Sequence, residues 1–353
     1  MHRHGFLRNL HAVYQPRTYF EIGINDGRSL TLSRVPTVAV DPAFKVVKEL
    51  RCDLHMVRET SDDFFAREKP LEHLGEAKVD LAFIDGMHLF EYVLRDFINT
   101  EKYADWSSVV VFDDQLPRNV DEAARNRHTG AWTGDVYKMI PVLQRYRPDL
   151  RLAVMDTRPT GVMVVLGLDP TNTVLADNYD EIMDTFLLKD PQQIPPEIVE
   201  RSCAMTPEAL LSAPFWSALV AARDAGDPSY GREQLLAGID HDLADLSRPQ
   251  LSDWLPDPAA GRDCEVDQSA SVGEQRMVAA IRQKAAAKAS GTQSQNGAGS
   301  TAQHAATATK QAGATRPSRR VSQRPNDLFG KVAKRAPFLR RLPGAPRLVK
   351  KLR

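Results

Sequence analysis

An acid, two glycines and an asparagine alternate with other residues near the start of the chain. The run YFEIGINDGRSL, residues 19–30, places Glu21, Gly23, Asn25 and Gly27 where an apolar β-type stretch breaks into turn residues. Glycine permits left-handed backbone and close approach to a ligand, and asparagine tolerates the left-handed region. A turn alone does not require the carboxylate of Glu21 in the preceding strand. The pattern therefore indicates a ligand site here, although it is not the GxGxxG of dinucleotide folds.

Three further carboxylates stand where two later apolar runs end. Asp85 lies in FIDGMH, and Asp113 and Asp114 lie in VVVFDDQ. Because the carboxyl ends of parallel strands meet at one edge of a sheet, we expect these carboxylates to converge. Like charges at close range require a raised pKa or a bound cation, and a hard ion such as Mg²⁺ suits oxygen ligands. The alternative is that each acid caps a helix or binds loop amides.

These residues need a sheet to bring them together. From Arg17 to Leu168, short apolar β-branched runs alternate with amphipathic stretches. This alternation predicts a mainly parallel, doubly wound α/β sheet covered by helices on both faces. Only TRPT separates the last two runs, so they are predicted to pair as an antiparallel hairpin. The seven predicted strands are TYFEIG, TVAVD, LHMVRE, DLAFID, VVVFDD, LRLAVMD and GVMVVLGLD.

Asp41 ends the second predicted strand, 18 positions after Gly23. This is close to the offset of about 20 residues at which an acid holds ribose hydroxyls in nucleotide-type folds. The alternative is that Asp41 caps a helix starting after Pro42 and that the glycines only serve tight turns. The spacing of the two signals favours a shared ligand.

Together these residues resemble the class I S-adenosylmethionine-dependent methyltransferases. In that family the acid and glycines after strand one surround the methionine part of the cofactor, the acid after strand two takes the ribose, and residues after strand three border the adenine. The resemblance implies the Rossmann-like methyltransferase fold over Arg17 to about Leu168. Asn25 departs from the family pattern, because many members have glycine there. The implied cofactor-binding residues are Glu21, Gly23, Asn25, Gly27, Asp41, Ser61, Asp62 and Asp85.

The IDGxH pattern ending at His88 is similar to the metal-dependent O-methyltransferases, the catechol type and more closely the macrolide-sugar type. The resemblance implies that Asp85, Asp113 and Asp114 hold Mg²⁺ and that His88 is the general base. An ordinary histidine pKa of about 6.5 would leave the ring able to accept a proton. The implied activity is methyl transfer to a hydroxyl of a small molecule or sugar. The alternatives are a metal-free methyltransferase and, for His88, a solvated residue in the first turn of a helix.

The segment RNRHTGAWTGDVYKMIPVLQRY follows the fifth predicted strand, where this fold often builds a substrate wall. His128 and Trp132 are therefore candidate substrate contacts. Packing of Val136, Ile140 and Leu143 on one helix face explains much of the segment without a ligand.

The zero net charge of the chain combines two opposite charges. Residues 310–353 contain 14 Lys/Arg against the single acid Asp327, which leaves about −13 on the preceding residues. Basic residues interleaved with Phe and Leu predict contact with an anionic partner, a membrane surface or nucleic acid. A silent tail, or one folded back onto the acidic remainder of the chain, is the alternative.

The chain is predicted to comprise a methyltransferase domain (1–168), a helical addition (169–248), a disordered linker (249–315) and a basic tail (316–353). The linker prediction rests on its Ala, Gly, Ser, Thr and Gln content. Scattered Cys52, Cys203 and Cys264, with no signal-like N-terminal apolar core, predict a reduced, cytoplasmic protein. No apolar run reaches the ~20 residues that cross a bilayer.

Two other classes of function compete with methyl transfer. One is a non-catalytic scaffold or binding protein that uses the basic tail, and the other is a metal-dependent tailoring hydroxylase on the same scaffold. The acids retained at four predicted strand ends disfavour the scaffold alternative, in which the site would have lost its function. A hydroxylase would need the two-histidine, one-carboxylate iron set, which the sequence does not show near these strand ends.

Overall fold

The structure is a computed structural model that describes residues 1–244 and 248–257 of the 353-residue chain. One seven-stranded sheet organises the fold, in the order β3-β2-β1-β4-β5-β7-β6. The first five strands are parallel, and β7 is antiparallel to both β5 and β6. The strands are β1 (Tyr19–Ile22), β2 (Thr37–Val40), β3 (Leu54–Val57), β4 (Leu81–Ile84), β5 (Val109–Phe112), β6 (Arg151–Met155) and β7 (Val162–Leu166).

Ten α-helices accompany these strands within the described residues. They are α1 (Arg3–Tyr14), α2 (Ser61–Phe65), α3 (Phe90–Glu101), α4 (Met139–Tyr146), α5 (Val174–Asp177), α6 (Tyr179–Phe186), α7 (Pro196–Val199), α8 (Pro207–Leu211), α9 (Phe215–Ala225) and α10 (Arg232–Asp242). Short 3-10 helices span Leu30–Leu32, Glu72–Leu74 and Val136–Lys138. No helix in this part of the chain is long and apolar enough to cross a membrane.

The sheet is buried on both faces, as its composition predicts. Every residue of β1, β2, β4, β5 and β7 is buried, because continuous β-branched and aromatic runs suit a strand covered twice. One apolar core includes side chains of α3 and α4, and the other includes side chains of α1, α9 and α10. The predicted fold class, a doubly wound α/β sheet of seven strands with an antiparallel β6–β7 hairpin, is confirmed.

The strand order reverses between β1 and β4, which fixes where a ligand can sit. In open α/β sheets the crevice at such a switch point lies beyond the carboxyl ends of the strands. β1 and β4 pair in register, with Ile22 opposite Ile84. The loops that begin at Gly23 and Asp85 are therefore neighbours at the edge where both predicted ligand signals occur.

Helix α1 is an element that the sequence analysis did not predict. Its buried residues Phe6, Leu7, Leu10 and Tyr14 follow the three-to-four spacing of one helix face. The Tyr14 hydroxyl donates to the carbonyl oxygens of Asp80 (3.0 Å) and Ser107 (2.7 Å). The interspersed histidines and arginines lower the mean hydropathy of this stretch and conceal its apolar face.

The region after β7 contains helices α5 to α10, and the division of the chain into a methyltransferase domain and a helical addition over 169–248 stays a prediction. Two of these helices bury apolar residues, among them Ile182 and Phe186 of α6 and Leu219 of α9. Residues 249–257 pack onto the domain, since Leu251 is buried and Trp254 contacts the ring of Tyr137. The remainder of the predicted linker and the whole basic tail lie outside the described residues, as does Cys264.

Candidate functional site

The turn after β1 adopts the left-handed backbone that its residue types predict. Gly23, Asn25 and Gly27 have φ values of 94°, 45° and 79°. A Cβ atom at Gly23 would lie 1.9 Å from the carbonyl oxygen of Asp85. Glycine is therefore required there both by its φ and by contact with the neighbouring loop. The two predicted ligand loops touch each other through Gly23.

Asp41 fixes this turn from the end of β2. One of its carboxylate oxygens accepts the backbone N–H of Asn25 at 2.8 Å, and the other accepts that of Ala43 at 2.6 Å. The bond to Asn25 helps to hold a non-glycine residue in the left-handed region. No helix forms between Asp41 and Asp53, so the interpretation of Asp41 as a helix cap is wrong. Asp41 remains partly exposed at the switch point.

Glu21 lies beneath the turn rather than at its open side. Its side chain is fully buried and accepts hydrogen bonds from the hydroxyls of Ser29 (2.7 Å) and Tyr19 (2.6 Å). Burial disfavours the charged form and raises the pKa of Glu21 to about 8. In this structure the Glu21 carboxyl supports the loop, and its predicted contact with a cofactor stays a prediction.

Asp85, His88 and Asp114 meet at the carboxyl edges of β4 and β5, and we call them the Asp–His cluster. His88 Nε2 lies 3.2 Å from Asp85 Oδ1, and His88 Nδ1 lies 3.1 Å from Asp114 Oδ2. One ligand atom from each residue falls within 4.8 Å of the others. The predicted convergence of strand-end acids thus includes Asp85 and Asp114, with the imidazole between them.

The charge of His88 differs from the expectation for an ordinary histidine. Burial lowers its pKa, but the negative charges of Asp114 and Asp85 outweigh burial and raise that pKa to about 9. The Trp132 ring stacks on the imidazole at 5.1 Å with an interplanar angle of 6°. The two carboxylates therefore favour the protonated form of His88. For His88 to act as a base, a positive charge near Asp85 and Asp114 must offset their charge and lower the pKa of His88.

Asp113 and Asp114 are adjacent in sequence but have different partners. Asp114 has a left-handed φ of 60° and accepts a hydrogen bond from the Thr160 hydroxyl. Asp113 is buried and forms an ion pair with Arg3 of α1. The Arg3 guanidinium also lies 3.5 Å from Asp85 Oδ2. Sequence reasoning missed Arg3, because only the fold brings residue 3 to the end of β5.

The segment after β5 holds the His88 loop in place. Asp135 Oδ1 accepts the backbone N–H of Phe90 at 2.9 Å, while Asp135 Oδ2 binds Lys138 and Arg125, each at 2.8 Å. A Cβ atom at Gly134 would lie 1.7 Å from the His88 carbonyl oxygen. The charge of Lys138 compensates that of the buried Asp135. Because Asp135 also accepts the Phe90 N–H, it anchors the start of α3.

The other predicted site residues occupy separate positions. Ser61 begins α2 and hydrogen-bonds the buried Asp96, whose pKa burial raises to about 7. Asp62 forms an ion pair with Arg95 at 2.7 Å. Trp132 lies against His88, as a wall residue would. His128 is exposed and contacts Asp121, and none of its hydrogen bonds is to the Asp–His cluster.

The donors present fit a divalent cation. Two carboxylates and an imidazole offer ligand atoms within 4.8 Å of one another, and the buried carboxylate of Asp113 lies beside them with Arg3 as its counter-ion. Carboxylates suit Mg²⁺ or Mn²⁺, whereas an imidazole ligand is more typical of transition metals. The two carboxylates therefore suit a divalent cation both when His88 is a third ligand and when His88 acts as the base instead.

Comparison with known proteins places the site within a recognised domain. Residues 20–115 match the family model described as a methyltransferase domain. The match runs from β1 through Gln115 and includes every residue of the Asp–His cluster. It spans about a quarter of the chain. No curated protein gives a significant match.

Solved methyltransferases resemble the chain only distantly. The O-methyltransferase TomG from Streptomyces achromogenes, involved in tomaymycin synthesis and solved with SAM, is 17% identical over 47% of this chain and 80% of its own, with a TM-score of 0.34. An O-methyltransferase from Bacillus cereus in complex with SAH is 16% identical over 46% and 80%, with a TM-score of 0.33. The MycE methyltransferase of mycinamycin biosynthesis, solved with Mg, SAH and mycinamycin VI, is 15% identical over 48% and 49%, with a TM-score of 0.33.

Proposed function

We propose that this protein transfers a methyl group from S-adenosylmethionine to a hydroxyl of a small molecule or sugar. The observation that carries the proposal is the contact of the Gly23 turn with the Asp85 loop at the switch point, inside the segment that matches a methyltransferase domain. This contact brings the Gly23 turn beside the Asp–His cluster. It supports the proposal that a cofactor side and an acceptor side share one sheet edge.

The cofactor side of the site would be formed by the predicted residues Gly23, Asn25 and Gly27 with Asp41. The tight glycine turn leaves room for the methionine part, and Asp41 is the acid at the end of β2 that would receive the ribose hydroxyls. Ser61 and Asp62 follow β3 and would border the adenine. Glu21 would support the turn through its hydrogen bond with Ser29.

On the acceptor side, the hydroxyl oxygen attacks the sulfonium methyl group while the carbon–sulfur bond breaks. The products are the methyl ether, S-adenosylhomocysteine and the hydroxyl proton. We propose His88 as the group that takes this proton, since it lies between Asp85 and Asp114 with Trp132 against its face. A cation held by Asp85 and Asp114, with Asp113 close by, would favour ionisation of the hydroxyl and offset the carboxylate charge.

The geometry bears on the rival functions too. Among residues 1–244 and 248–257, the grouped metal donors contain one histidine and two aspartates, whereas the hydroxylase iron set has two histidines and one carboxylate. A metal-free methyltransferase remains the alternative that keeps the same cofactor site. The scaffold function would leave this ordered site without a ligand.

Calorimetric titration of S-adenosylmethionine into the full chain, with and without Mg²⁺, tests the proposal. Asp41→Asn should weaken binding at least tenfold, because it removes the charge proposed to meet the ribose. The amide oxygen can still accept the Asn25 N–H, while the bond from the Ala43 N–H is lost. Asp53→Asn is the matched control, since Asp53 is an exposed acid paired with His73 beside the β3 edge. Absence of cofactor binding by folded wild-type protein would refute the proposed function.

A further inference from the structure

Helix α1 brings a positive charge into the acidic site. Arg3 forms an ion pair with Asp113 and lies 3.5 Å from Asp85. About a quarter of the Arg3 side chain is exposed, whereas Asp113 is almost fully enclosed. A guanidinium offers several N–H donors in a rigid fork, so it can satisfy two carboxylates at once. Arg3 thus occupies oxygen atoms that a divalent cation would also seek.

The backbone of Arg3 is tied to the sheet and does not belong to a loose terminus. The Arg3 N–H donates to the Arg158 carbonyl at 3.0 Å, and the Arg158 N–H donates to the Met1 carbonyl at 2.9 Å. Phe6 and Leu7 are buried in the core beneath the sheet. These contacts hold the first turn of α1 against the β6–β7 connection, at the carboxyl edge of the sheet.

We propose that Arg3 sets the cation affinity of the Asp–His cluster by competing with the metal for Asp113 and Asp85. The inference rests on the proposed function only in assuming that the cluster takes a divalent cation. A unit positive charge within a few ångströms repels that cation, and the ion pair must be broken or shifted when Asp113 contributes to its binding. Arg3 therefore keeps the affinity of the site low.

Mn²⁺ titration of the full chain, followed by the electron paramagnetic resonance signal of the free ion, tests this competition without any turnover. Arg3→Ala should bind Mn²⁺ roughly tenfold more tightly than wild type, and Arg3→Lys should stay near wild type because it retains the charge. Arg8→Ala is the matched control, since Arg8 is exposed on the same helix. Its Mn²⁺ affinity should equal that of wild type.

A second variant locates the ion. Adding Asp85→Asn to Arg3→Ala should abolish the gain, because it removes one carboxylate of the cluster. Persistence of tight binding in that double variant would overturn the proposal, as would equal affinities in wild type and Arg3→Ala. Absence of Mn²⁺ binding by every folded variant would overturn it as well. Thermal unfolding monitored by circular dichroism establishes that each variant is folded.

The outcome is independent of the test of methyl transfer. Wild-type protein that fails to bind S-adenosylmethionine loses the proposed function, yet the Mn²⁺ series still decides whether Arg3 controls a cation site. Conversely, a chain that binds the cofactor but shows equal Mn²⁺ affinities keeps its proposed function and loses this role for Arg3.

Discussion

At the scale of single residues, Glu21 shows how a predicted ligand residue can serve the fold. Its carboxyl is enclosed by protein and hydrogen-bonded to Tyr19 and Ser29. Because burial raises its pKa to about 8 from an ordinary value of 4.5, the folded state holds a proton that the unfolded chain releases. The stability from this group is complete below about pH 4.5 and is lost as the pH rises towards 8.

We therefore expect Glu21→Gln to remove a pH dependence. The uncharged amide can keep both hydrogen bonds, since either hydroxyl can accept from its NH₂ group. Relative to Glu21→Gln, wild type should lose roughly 2–4 kcal/mol of unfolding free energy between pH 4.5 and 8. Urea unfolding at a series of pH values measures this difference. Parallel pH profiles for the two proteins would show that Glu21 is not the group responsible.

Gly23 supplies a second prediction at this scale. Gly23→Ala introduces a Cβ that would meet the Asp85 carbonyl oxygen at a φ of 94°. The loops must then separate, and we expect the unfolding free energy to fall by roughly 2 kcal/mol or more. At Gly130 an added Cβ has no neighbour within 4 Å. Gly130→Ala should change stability by less than about 0.5 kcal/mol, and a similar loss in both variants would contradict the argument.

At the scale of elements, Asp135 connects the His88 loop to buried charges. Asp135 joins the N-terminus of α3, through Phe90, to Lys138 in the 3-10 helix that precedes α4. The side chains of Asp135 and Lys138 are at most 1% exposed. A charge left without its partner at such a position is far more costly than at the surface.

Asp135→Asn should accordingly lower the unfolding free energy by roughly 3 kcal/mol, because Lys138 loses its buried counter-charge. Asp240→Asn is the comparison, since Asp240 pairs with Arg151 while its side chain is 52% exposed. That exposed pair should contribute less than about 1 kcal/mol. Chemical unfolding of both variants at neutral pH separates the two cases, and equal losses would argue against a special role for the buried pair.

At the scale of the whole molecule, charge is divided along the chain. Residues 310–353 carry about +13 and the preceding residues about −13. If the tail is free, a polyanion will bind it and salt will weaken that binding steeply. If it folds back onto the acidic remainder of the chain, its charge will be masked.

Heparin chromatography of the full chain and of a 1–309 variant tests the two states of the tail. We expect the full chain to be retained and to elute at high salt, while 1–309, with its excess of acids, passes through. The S-adenosylmethionine affinities of the two proteins should agree, because none of the residues proposed to hold the cofactor lies in the tail. Unretained full chain would indicate that the tail is neutralised by its own chain.

The sequence by itself determined the parts of this protein that follow from local pattern. Short apolar, β-branched runs indicated all seven strands, and the short TRPT connection indicated the hairpin, because a loop of that length cannot hold a crossover helix. The left-handed turn at Gly23, Asn25 and Gly27 also followed from residue types alone. The convergence of Asp85 and Asp114 followed once the strands were known to be parallel.

Only the tertiary structure decided which partners the site residues have. Arg3 reaches Asp113 because α1 packs beneath the sheet, a contact across more than 100 positions that no local pattern encodes. The raised pKa of His88 arises from carboxylates on two strands, and the burial of Glu21 arises from Ser29 and Tyr19 closing around it. Spacing identifies candidate groups, whereas their charge and accessibility depend on what the rest of the fold places beside them.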